Sequence, residues 1–268
     1  MLAKPIKWKF EQICKCCSGV ANLYGVVDFS KNSSEPQGVF LPLSGIPVYY
    51  YKCVECGFIF TTDFDDFSDD EFKEWIYNED YTIVDPGWEQ GRPRSTAETV
   101  IQKFKQFRET LSILDYGCGN GNVAKILREY GFKNVTNFDP MVDEFSSVPT
   151  GKFDLILCIE VFEHLVNPKS AFHEIAGFRS DDGIVFHSTL LQPKEIETVK
   201  LDWWYIGPRN GHISIFNTKS LFLSWLEVGL NVVSANQDIH IAFKTIPDFA
   251  ADLLKQSIPP PREDIGNK

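Results

Sequence analysis

Residues 111–130 constrain the fold more than any other stretch of the chain. An apolar segment with strand character, Leu111–Leu114, leads into the glycine-rich run DYGCGNGN at 115–122. The segment NVAKILREYG that follows has apolar residues at i, i+3, i+4 and i+7, which form one face of a helix. A strand, a glycine-rich turn and a helix in this order open a nucleotide-binding βα unit. In such a unit the turn lets a ligand approach the backbone, and the helix N-terminus offers free N–H groups.

The composition is that of a globular protein without a membrane segment. The 268 residues, 43% hydrophobic and 24% charged, suffice for one large domain and a small accessory one. The net charge of −11 argues against a broad phosphate-binding surface, so we expect no nucleic-acid partner. No apolar run approaches the ~20 residues of a membrane helix, and the N-terminus lacks the apolar core of a signal peptide. We therefore expect no membrane insertion and a cytoplasmic location.

Five of the seven cysteines lie in the first 65 residues. Two C-x-x-C pairs, Cys14/Cys17 and Cys53/Cys56, have the spacing of two zinc knuckles, and glycines stand nearby. Four thiolates fill a tetrahedral site completely, so this pattern predicts a structural Zn²⁺. Cys16 is a bystander in this interpretation, although it could replace Cys14.

Alternating strand and helix patterns after residue 110 predict an α/β fold, a doubly wound and mostly parallel Rossmann-like sheet with a small N-terminal zinc ribbon. A helix is expected over roughly 161–178. The predicted division of the chain is a zinc ribbon at 1–65, a helical linker or lid at 66–110, a ligand-binding domain at 111–250 and a C-terminal tail at 251–268.

Two acids accompany the glycine turn. Asp115 precedes the glycines Gly117, Gly119 and Gly121, which fall as G-x-G-x-G rather than as the dinucleotide fingerprint G-x-G-x-x-G. Asp139 ends the next strand, where a carboxylate can accept hydrogen bonds from both hydroxyls of a ribose.

This pattern resembles the class I S-adenosylmethionine (SAM) methyltransferases. The segments ILDYGCGNG, FDP, FDLILCIEVFEHLVNP and DDGIVFHSTL stand in the order of four motifs of that family, over about residues 95–245. The resemblance implies that the backbone of 117–121 packs against the amino-acid part of SAM, and that Asp139 binds the ribose. Asp115 joins the implied cofactor site. Tyr81, from the linker, is expected to close over SAM.

The ribbon, together with VYYYKC and WWYIGPRNGHIS, is similar to a subgroup with a zinc-binding N-terminus that is found among bacterial sugar and surface-polysaccharide modifying methyltransferases. This similarity implies a small-molecule acceptor, a hydroxyl of a sugar, nucleotide-sugar or glycan, and a role in polysaccharide biosynthesis. We also expect the ribbon to pack over the mouth of the catalytic domain and to form part of the substrate pocket.

The segment EVFEH predicts a second functional cluster. Glu160, Glu163 and His164 fall at i, i+3 and i+4, on one face of the expected helix. The spacing E-x-x-E-H is similar to that of ubiquinone-pathway O-methyltransferases and small-RNA 2′-O-methyltransferases, which implies Mg²⁺ at these residues with His212 as a fourth ligand. In the alternative, no metal binds, Glu160 lines the SAM pocket, and His164 is a base or part of a hydrogen-bonded network.

Methyl transfer to a hydroxyl requires alignment, exclusion of water and removal of a proton. His212 and His164 are the candidate bases because imidazole titrates near neutrality, and Glu163 completes the candidate catalytic set. Trp203, Trp204 and Tyr205 could wall the substrate pocket.

Two other functions remain open. Some RNA methyltransferases also carry a zinc ribbon, although the acidic balance of this chain argues against an RNA substrate. A non-catalytic SAM-fold interaction module is the third hypothesis, which the intact glycine turn and the Glu/His set disfavour.

Overall fold

The computed structural model describes residues 10–89 and 91–251, which form two sheets. The C-terminal tail expected at 251–268 lies, beyond Ala251, outside the described residues. The strands are β1 Glu11–Ile13, β2 Val20–Asp28, β3 Pro47–Cys53, β4 Ile59–Thr61, β5 Ser112–Tyr116, β6 Asn134–Phe138, β7 Phe153–Ile159, β8 Arg179–Ser188, β9 Ser214–Ile215, β10 Asn231–Ser234 and β11 Ile239–Phe243. The helices are α1 Asp69–Trp75, α2 Tyr81–Val84, α3 Gly91–Phe104, α4 Asn122–Glu129, α5 Pro168–Phe178, α6 Ile196–Val199 and α7 Thr218–Glu227.

The larger sheet is the predicted Rossmann-like sheet. Its strand order is β10-β11-β8-β7-β5-β6, in which the pairs among β5, β6, β7 and β8 are parallel and the last two strands of the chain pair antiparallel. The central strand β7, FDLILCI, is almost wholly apolar because helices cover both faces of a parallel sheet. The α/β fold class is confirmed.

The smaller sheet contains the cysteine-rich N-terminal segment. It is antiparallel, with order β1-β2-β3-β4-β9, so its last strand comes from residues 214–215 of the larger domain. Ile59 pairs with Ile215, and Phe60 pairs with Ser214. The domain boundary at residue 65 stays a prediction, because the smaller sheet also includes residues 214–215, which lie beyond that boundary.

One hydrophobic cluster joins the two sheets. The rings of Phe58 and Phe216 lie 4.7 Å apart, and those of Phe172 and Trp225 lie 4.6 Å apart. The cysteines at 14, 53 and 56 belong to the same buried cluster. The ribbon is therefore packed on the larger domain by a continuous core.

The helix expected over 161–178 is broken. Phe162–His164 form a single 3-10 turn, Leu165 is extended, and α5 begins only at Pro168. Proline disfavours a helical conformation in the residue before it, and Asn167 instead caps α5 by accepting a hydrogen bond from the Ser170 N–H at 3.2 Å. Glu160 lies outside any helix, with φ of 55°. The expectation that Glu160, Glu163 and His164 share one helical face is therefore wrong.

Trp225 should contribute far more to stability than Trp204. Trp225 is fully buried and its indole N–H donates to His187 Nε2 at 3.0 Å, whereas Trp204 is 41% exposed. We expect Trp225→Ala to lower the free energy of unfolding by about 3–5 kcal/mol, because it leaves a large cavity. Trp204→Ala should lower it by less than about 1 kcal/mol. Urea denaturation followed by circular dichroism measures both, and equal losses would contradict the assigned core.

Candidate active site

A cavity of about 460 Å³ lies at the carboxyl ends of β5, β6 and β7. Open α/β sheets bind ligands at this edge. The floor of the cavity is the glycine turn and the segments that follow β6 and β7, and its roof is the helical linker. The residues that line it are Phe72, Lys73, Tyr77, Tyr81, Trp88, Arg92, Pro93, Thr96, Asp115–Asn120, Val123, Asp139–Val142, Ile159–Val161 and His164–Val166.

The glycine turn needs glycine for two reasons. Gly117, Gly119 and Gly121 all have positive φ, between 52° and 73°, which strains other residues. A Cβ at Gly117 would also lie 2.5 Å from Val161 Cγ2. Gly117 and Gly119 line the cavity, while Gly121 lies beside it at the N-terminus of α4. The turn thus presents bare backbone to the cavity.

Asp139 connects the end of β6 to this turn. Its Oδ2 accepts a hydrogen bond from the Gly119 N–H, and its Oδ1 accepts one from the Met141 N–H, both at 2.9 Å. The carboxylate lines the cavity, and each oxygen retains a lone pair for a further donor.

Asp115 is buried at the end of β5 with one oxygen unsatisfied. Among the described residues, its Oδ2 has no hydrogen-bond partner. Burial, together with the nearby Asp139, raises the pKa of Asp115 to about 7. A buried carboxylate with an unpaired oxygen can accept a hydrogen bond from a donor in the cavity or pair with a cation there.

Glu160 turns sharply out of the end of β7. Its N–H donates to Ser188 Oγ at 2.9 Å, and the Ser188 hydroxyl donates to Glu160 Oε1 at 2.7 Å, which holds the left-handed backbone in place. Burial and the neighbouring Glu163 raise the pKa of Glu160 to about 7. The carboxyl group lines the cavity.

The linker contributes the roof, including one cation that the sequence did not reveal. Tyr77 and Tyr81 pack edge to face with ring centroids 5.2 Å apart, and both line the cavity. Arg92, near the start of α3, also lines it and donates to Asp85 at 2.6 Å. The segment around Arg92 carries no recognisable motif, so only the fold brings this guanidinium to the site.

Glu163, His164 and His212 form a close cluster beside the cavity. One ligand atom from each lies within 4.8 Å of the others, and the two imidazole centroids are 5.2 Å apart. His164 lines the cavity, whereas Glu163 and His212 are buried behind it. Glu160 is not part of this cluster. The structure therefore brings Glu163 and His164 together with His212, the expected fourth ligand, and leaves Glu160 out of the set.

Both imidazoles in this cluster are neutral and present a free Nε2. His164 Nδ1 lies 3.0 Å from the Gly211 carbonyl, and His212 Nδ1 lies 2.7 Å from the Tyr205 carbonyl. A carbonyl only accepts, so each Nδ1 carries the proton and each Nε2 keeps its lone pair. Burial lowers the pKa of His164 to about 4 and that of His212 to about 3.

No described residue meets hydrogen-bond geometry with either oxygen of the Glu163 carboxylate, although the Tyr205 and Thr189 side chains lie near enough to lower its pKa against the larger effect of burial. Burial raises the pKa of Glu163 to about 7. Two neutral nitrogen donors and a carboxylate are a donor set that can hold a divalent metal ion.

The aromatic loop does not wall the cavity, contrary to the sequence-based expectation. Trp203, Trp204 and Tyr205 are absent from its lining. Tyr205 instead packs on His212 with ring centroids 4.4 Å apart, so it supports the imidazole from behind.

The four predicted cysteines meet at one point. The Sγ atoms of Cys14, Cys17, Cys53 and Cys56 lie within 4.8 Å of one another. Cys14 and Cys56 Sγ are 3.6 Å apart, and Cys17 and Cys53 Sγ are 3.4 Å apart. A tetrahedral site with Zn–S bonds of about 2.3 Å has edges of ~3.8 Å, so the cluster has nearly the size that zinc requires.

The two cysteine knuckles have the same backbone pattern. Cys14 N–H donates to the carbonyl of Gly19, five residues on, and Cys53 N–H donates likewise to Phe58. The fourth residue after each of these cysteines, Ser18 or Gly57, has positive φ. The same local geometry thus occurs on two separate hairpins, as expected for a pair of metal-binding knuckles.

Cys16 points away from the cluster, into the larger domain. Its Sγ lies 3.3 Å from Ser224 Oγ and 3.4 Å from the Ser220 carbonyl, both on α7. No described residue of the ribbon, 10–65, lines the cavity. The ribbon touches the site from behind instead, since the Tyr50 hydroxyl donates to the His212 carbonyl at 2.7 Å.

The ligand-free Asp115→Asn variant should be more stable than the original protein at pH 8. The Asp115 carboxyl titrates near ~4 when unfolded and about 7 when folded, so between these values only the folded state holds the proton. The unfolding free energy of the original protein therefore falls as the pH rises through this window.

Thermal melts at pH 4 and pH 8 test this expectation. The gain from Asp115→Asn should be present at pH 8 and nearly absent at pH 4, where the carboxyl is protonated in the folded state and about half protonated in the unfolded state. Asp66→Asn, at an exposed position, is the matched control and should shift neither melt. A lower melting temperature for Asp115→Asn at pH 8 would contradict the assignment.

A family model and several curated proteins match part of the chain. Residues 88–235 match the family model described as "Methyltransferase domain". The ubiquinone biosynthesis O-methyltransferase of Hydrogenovibrio crunogenus is 29% identical over 116 residues, which is 34% of this chain and 48% of that protein. Its counterpart from Salmonella paratyphi A is 29% identical over 102 residues, 29% of this chain and 42% of that protein. The chain thus spans about half the length of the curated relatives it matches.

Solved structures share lower similarity. Magnesium protoporphyrin IX methyltransferase of Synechocystis PCC 6803, solved with S-adenosylhomocysteine (SAH), has a TM-score of 0.43 and 14% identity, covering 58% of this chain and 83% of that one. Human N-acetylserotonin methyltransferase with SAM has a TM-score of 0.46 and 14% identity, covering 67% and 63%.

No helix in the described ranges is long and apolar enough to span a bilayer. The curated relatives named above act in ubiquinone biosynthesis, so the likeness to sugar-modifying enzymes stays a prediction. The family model covers more than half of the residues and includes the glycine turn, Asp139 and the Glu163/His164 pair, so the chain belongs to the methyltransferase domain family.

Proposed function

We propose that this protein transfers a methyl group from SAM to a hydroxyl of a small molecule. The observation that carries the proposal is one cavity that is lined both by the glycine turn with Asp139 and by His164. A donor bound over the turn would therefore share this cavity with the imidazole. SAM supplies an electrophilic methyl group on a positively charged sulfur.

The polar groups of the cavity suit the charged ends of this donor. The unpartnered oxygen of Asp115 suits an ammonium group, and the Arg92 guanidinium suits a carboxylate. The remaining lone pairs of Asp139 suit ribose hydroxyls. Tyr77, Tyr81 and Trp88 cover the cavity and exclude water from it.

His164 is the residue we assign to the acceptor hydroxyl. Its Nε2 is unprotonated, and its Nδ1–H is fixed by the Gly211 carbonyl. An imidazole in this state can accept the hydroxyl proton as the new bond forms. His212 and Glu163 lie behind His164, and their side chains set the electrostatic environment of its imidazole.

Two acceptor classes have support. The likeness of the ribbon and the WWYIGPRNGHIS segment supports a sugar, nucleotide-sugar or glycan hydroxyl. The apolar wall next to His164, formed by Phe72, Tyr77, Leu165 and Val166, together with the names of the relatives, supports an aromatic hydroxyl. A catechol and a nucleotide-sugar are therefore the first two acceptors to assay with labelled SAM, and a structured RNA is the negative comparison.

His164→Ala should lower methyl transfer by at least ~10²-fold while leaving SAH affinity within about threefold, since it removes proton acceptance rather than the donor site. Calorimetry with SAH measures the affinity, and label transfer measures the rate. His173→Ala, at an exposed position on α5, is the matched control and should change neither. Full activity in His164→Ala would refute its assigned role, and the absence of SAH binding to the original protein would refute the proposed function.

We further propose a structural Zn²⁺ at the four cysteines. Glu163, His164 and His212 support a second divalent ion as the alternative to a His164 base, because an Nε2 bound to a metal has no lone pair left to accept a proton. In that alternative the ion would orient and acidify the acceptor hydroxyl. Two imidazoles suit Zn²⁺ or another first-row transition ion, whereas Mg²⁺ takes oxygen ligands, so the Mg²⁺ expected at Glu160, Glu163 and His164 fits this donor set poorly.

Metal analysis of purified variants should separate the two sites. Cys56→Ser should lose one ion and much of the thermal stability, because a structural metal contributes directly to folding. In the alternative with a second ion, His212→Ala should lose that ion and retain the ribbon zinc. Cys16→Ala should retain both, and loss of zinc in that variant would show that Cys16 rather than Cys14 is the ligand.

A further inference from the structure

Residues 207–213, here called the hub loop, contact three parts of the molecule. On the ribbon side, the Arg209 N–H donates to the Lys31 carbonyl at 3.1 Å. On the catalytic side, the Ile213 N–H donates to the Glu163 carbonyl at 2.8 Å. The third contact is with the roof of the cavity, the segment 69–84 that contains α1, Tyr77 and α2.

Arg209 makes the roof contact with its side chain. Its Nη1 donates to the Ile76 carbonyl and its Nη2 donates to Asn78 Oδ1, both at 2.8 Å. Ile76 is the C-cap residue of α1, and Asn78 lies between α1 and α2. The guanidinium therefore holds the junction between the two roof helices.

Asn210 makes a second contact with the same roof. Its Nδ2 donates to the Val84 carbonyl at 3.1 Å, at the end of α2, and its Oδ1 accepts from the Ser33 N–H at 2.8 Å. The Ser34 hydroxyl donates to the same Val84 carbonyl at 2.7 Å. Both ends of the segment 76–84 are thus fastened to the hub loop.

The next two residues of the hub loop belong to the catalytic cluster. Gly211 supplies the carbonyl that fixes the His164 tautomer, and His212 is a member of the cluster. Gly211 has φ of 81°, and a Cβ there would lie 3.1 Å from His164 Nδ1 and 3.2 Å from Ile76 Cγ2. The roof and the imidazole thus both pack closely against this one residue.

We propose that Arg209 is a positioning residue that holds the roof of the cavity closed and, through the hub loop, couples that closure to the orientation of His164 and His212. It does not line the cavity itself, so it acts through Tyr77, Tyr81 and Gly211. The coupling to donor affinity rests on the proposed function, while the control of the roof does not.

The chemistry of the side chain supports this role. Arg209 is buried, and its side-chain hydrogen bonds go to a carbonyl and an amide oxygen rather than to a carboxylate. Burying a cation in this way is costly, and a hydrophobic residue would fill the volume more cheaply. The planar fork of arginine offers Nη1 and Nη2 to the two acceptors in a fixed geometry, which the single ammonium nitrogen of a lysine does not reproduce.

Hydrogen exchange of the ligand-free protein tests the control of the roof. In Arg209→Ala, the amides of Ile76, Tyr81 and Asp85, which are hydrogen-bonded within the roof, should exchange about tenfold faster or more. The amides of β5 and β7 should be unchanged. Arg108→Ala, a half-exposed arginine far from the cavity, is the matched control and should change no roof amide.

Ligand binding tests the coupling. SAH should bind Arg209→Ala about tenfold more weakly or worse, and added guanidinium ion should restore part of both the affinity and the roof protection. Arg209→Lys should be intermediate in both measurements. Asn78→Ala, which removes one acceptor and keeps the buried arginine, should show a smaller effect in the same direction.

Three results would overturn the inference. Unchanged roof exchange in Arg209→Ala is the first. Exchange that rises equally in the roof and in β5 and β7 is the second, because it indicates general destabilisation. Faster roof exchange with unaltered SAH affinity, in a protein whose original form binds SAH, would refute the coupling. If the original form does not bind SAH, the proposed function fails, and the exchange result still decides the role of Arg209 in the roof.

Discussion

The hydrogen bond from the Gly119 amide to the Asp139 carboxylate connects the two strand ends on which the site is built. It holds the glycine turn against the end of β6, where the Gly117 and Cys118 amides also donate to the Phe138 carbonyl. Parallel pairing of β5 with β6 and β7 brings their carboxyl ends to one edge, and the turn keeps that edge free of side chains. The cavity, its acidic floor and the placement of His164 all depend on this edge.

The local elements of the larger domain follow from the sequence because their signals are local. The apolar run before the glycines, the amphipathic NVAKILREYG and the apolar FDLILCI each encode one element, and each forms within two residues of its predicted bounds. The break before Pro168 does not follow from helical periodicity, because the apolar pattern continues through the Asn167-Pro168 pair. The proline itself is the sequence signal for this break. Pairing of residues 214–215 with the ribbon could not be predicted, since a two-residue strand has no periodicity.

The residues of the site also divide into those that local sequence motifs predict and those that only the fold brings together. Asp115 and the glycines belong to one motif and Asp139 belongs to the next one along the chain, and the fold brings both to the same edge of the sheet. Glu163 and His164 form a cluster with His212, which is far away in the chain. The sequence indicated His212 only as an optional fourth metal ligand. Arg92 and Arg209 gave no signal, because an isolated arginine in a linker or loop looks like any solvated charge. Their roles arise from burial and from the acceptors that surround them, which only tertiary structure defines.

The pairing of β4 with β9 has a consequence for synthesis of the chain. Residues 59–61 must wait for residues 214–215 to leave the ribosome before their outer edge is covered. The N-terminal sheet is therefore completed only after residue 215 is synthesised, although most of its residues are made first, and until then it exposes an unpaired strand. The two cysteine knuckles lie within residues 14–56, so they can form before residues 214–215 are synthesised. They can therefore stabilise the nascent N-terminal segment until β9 is available.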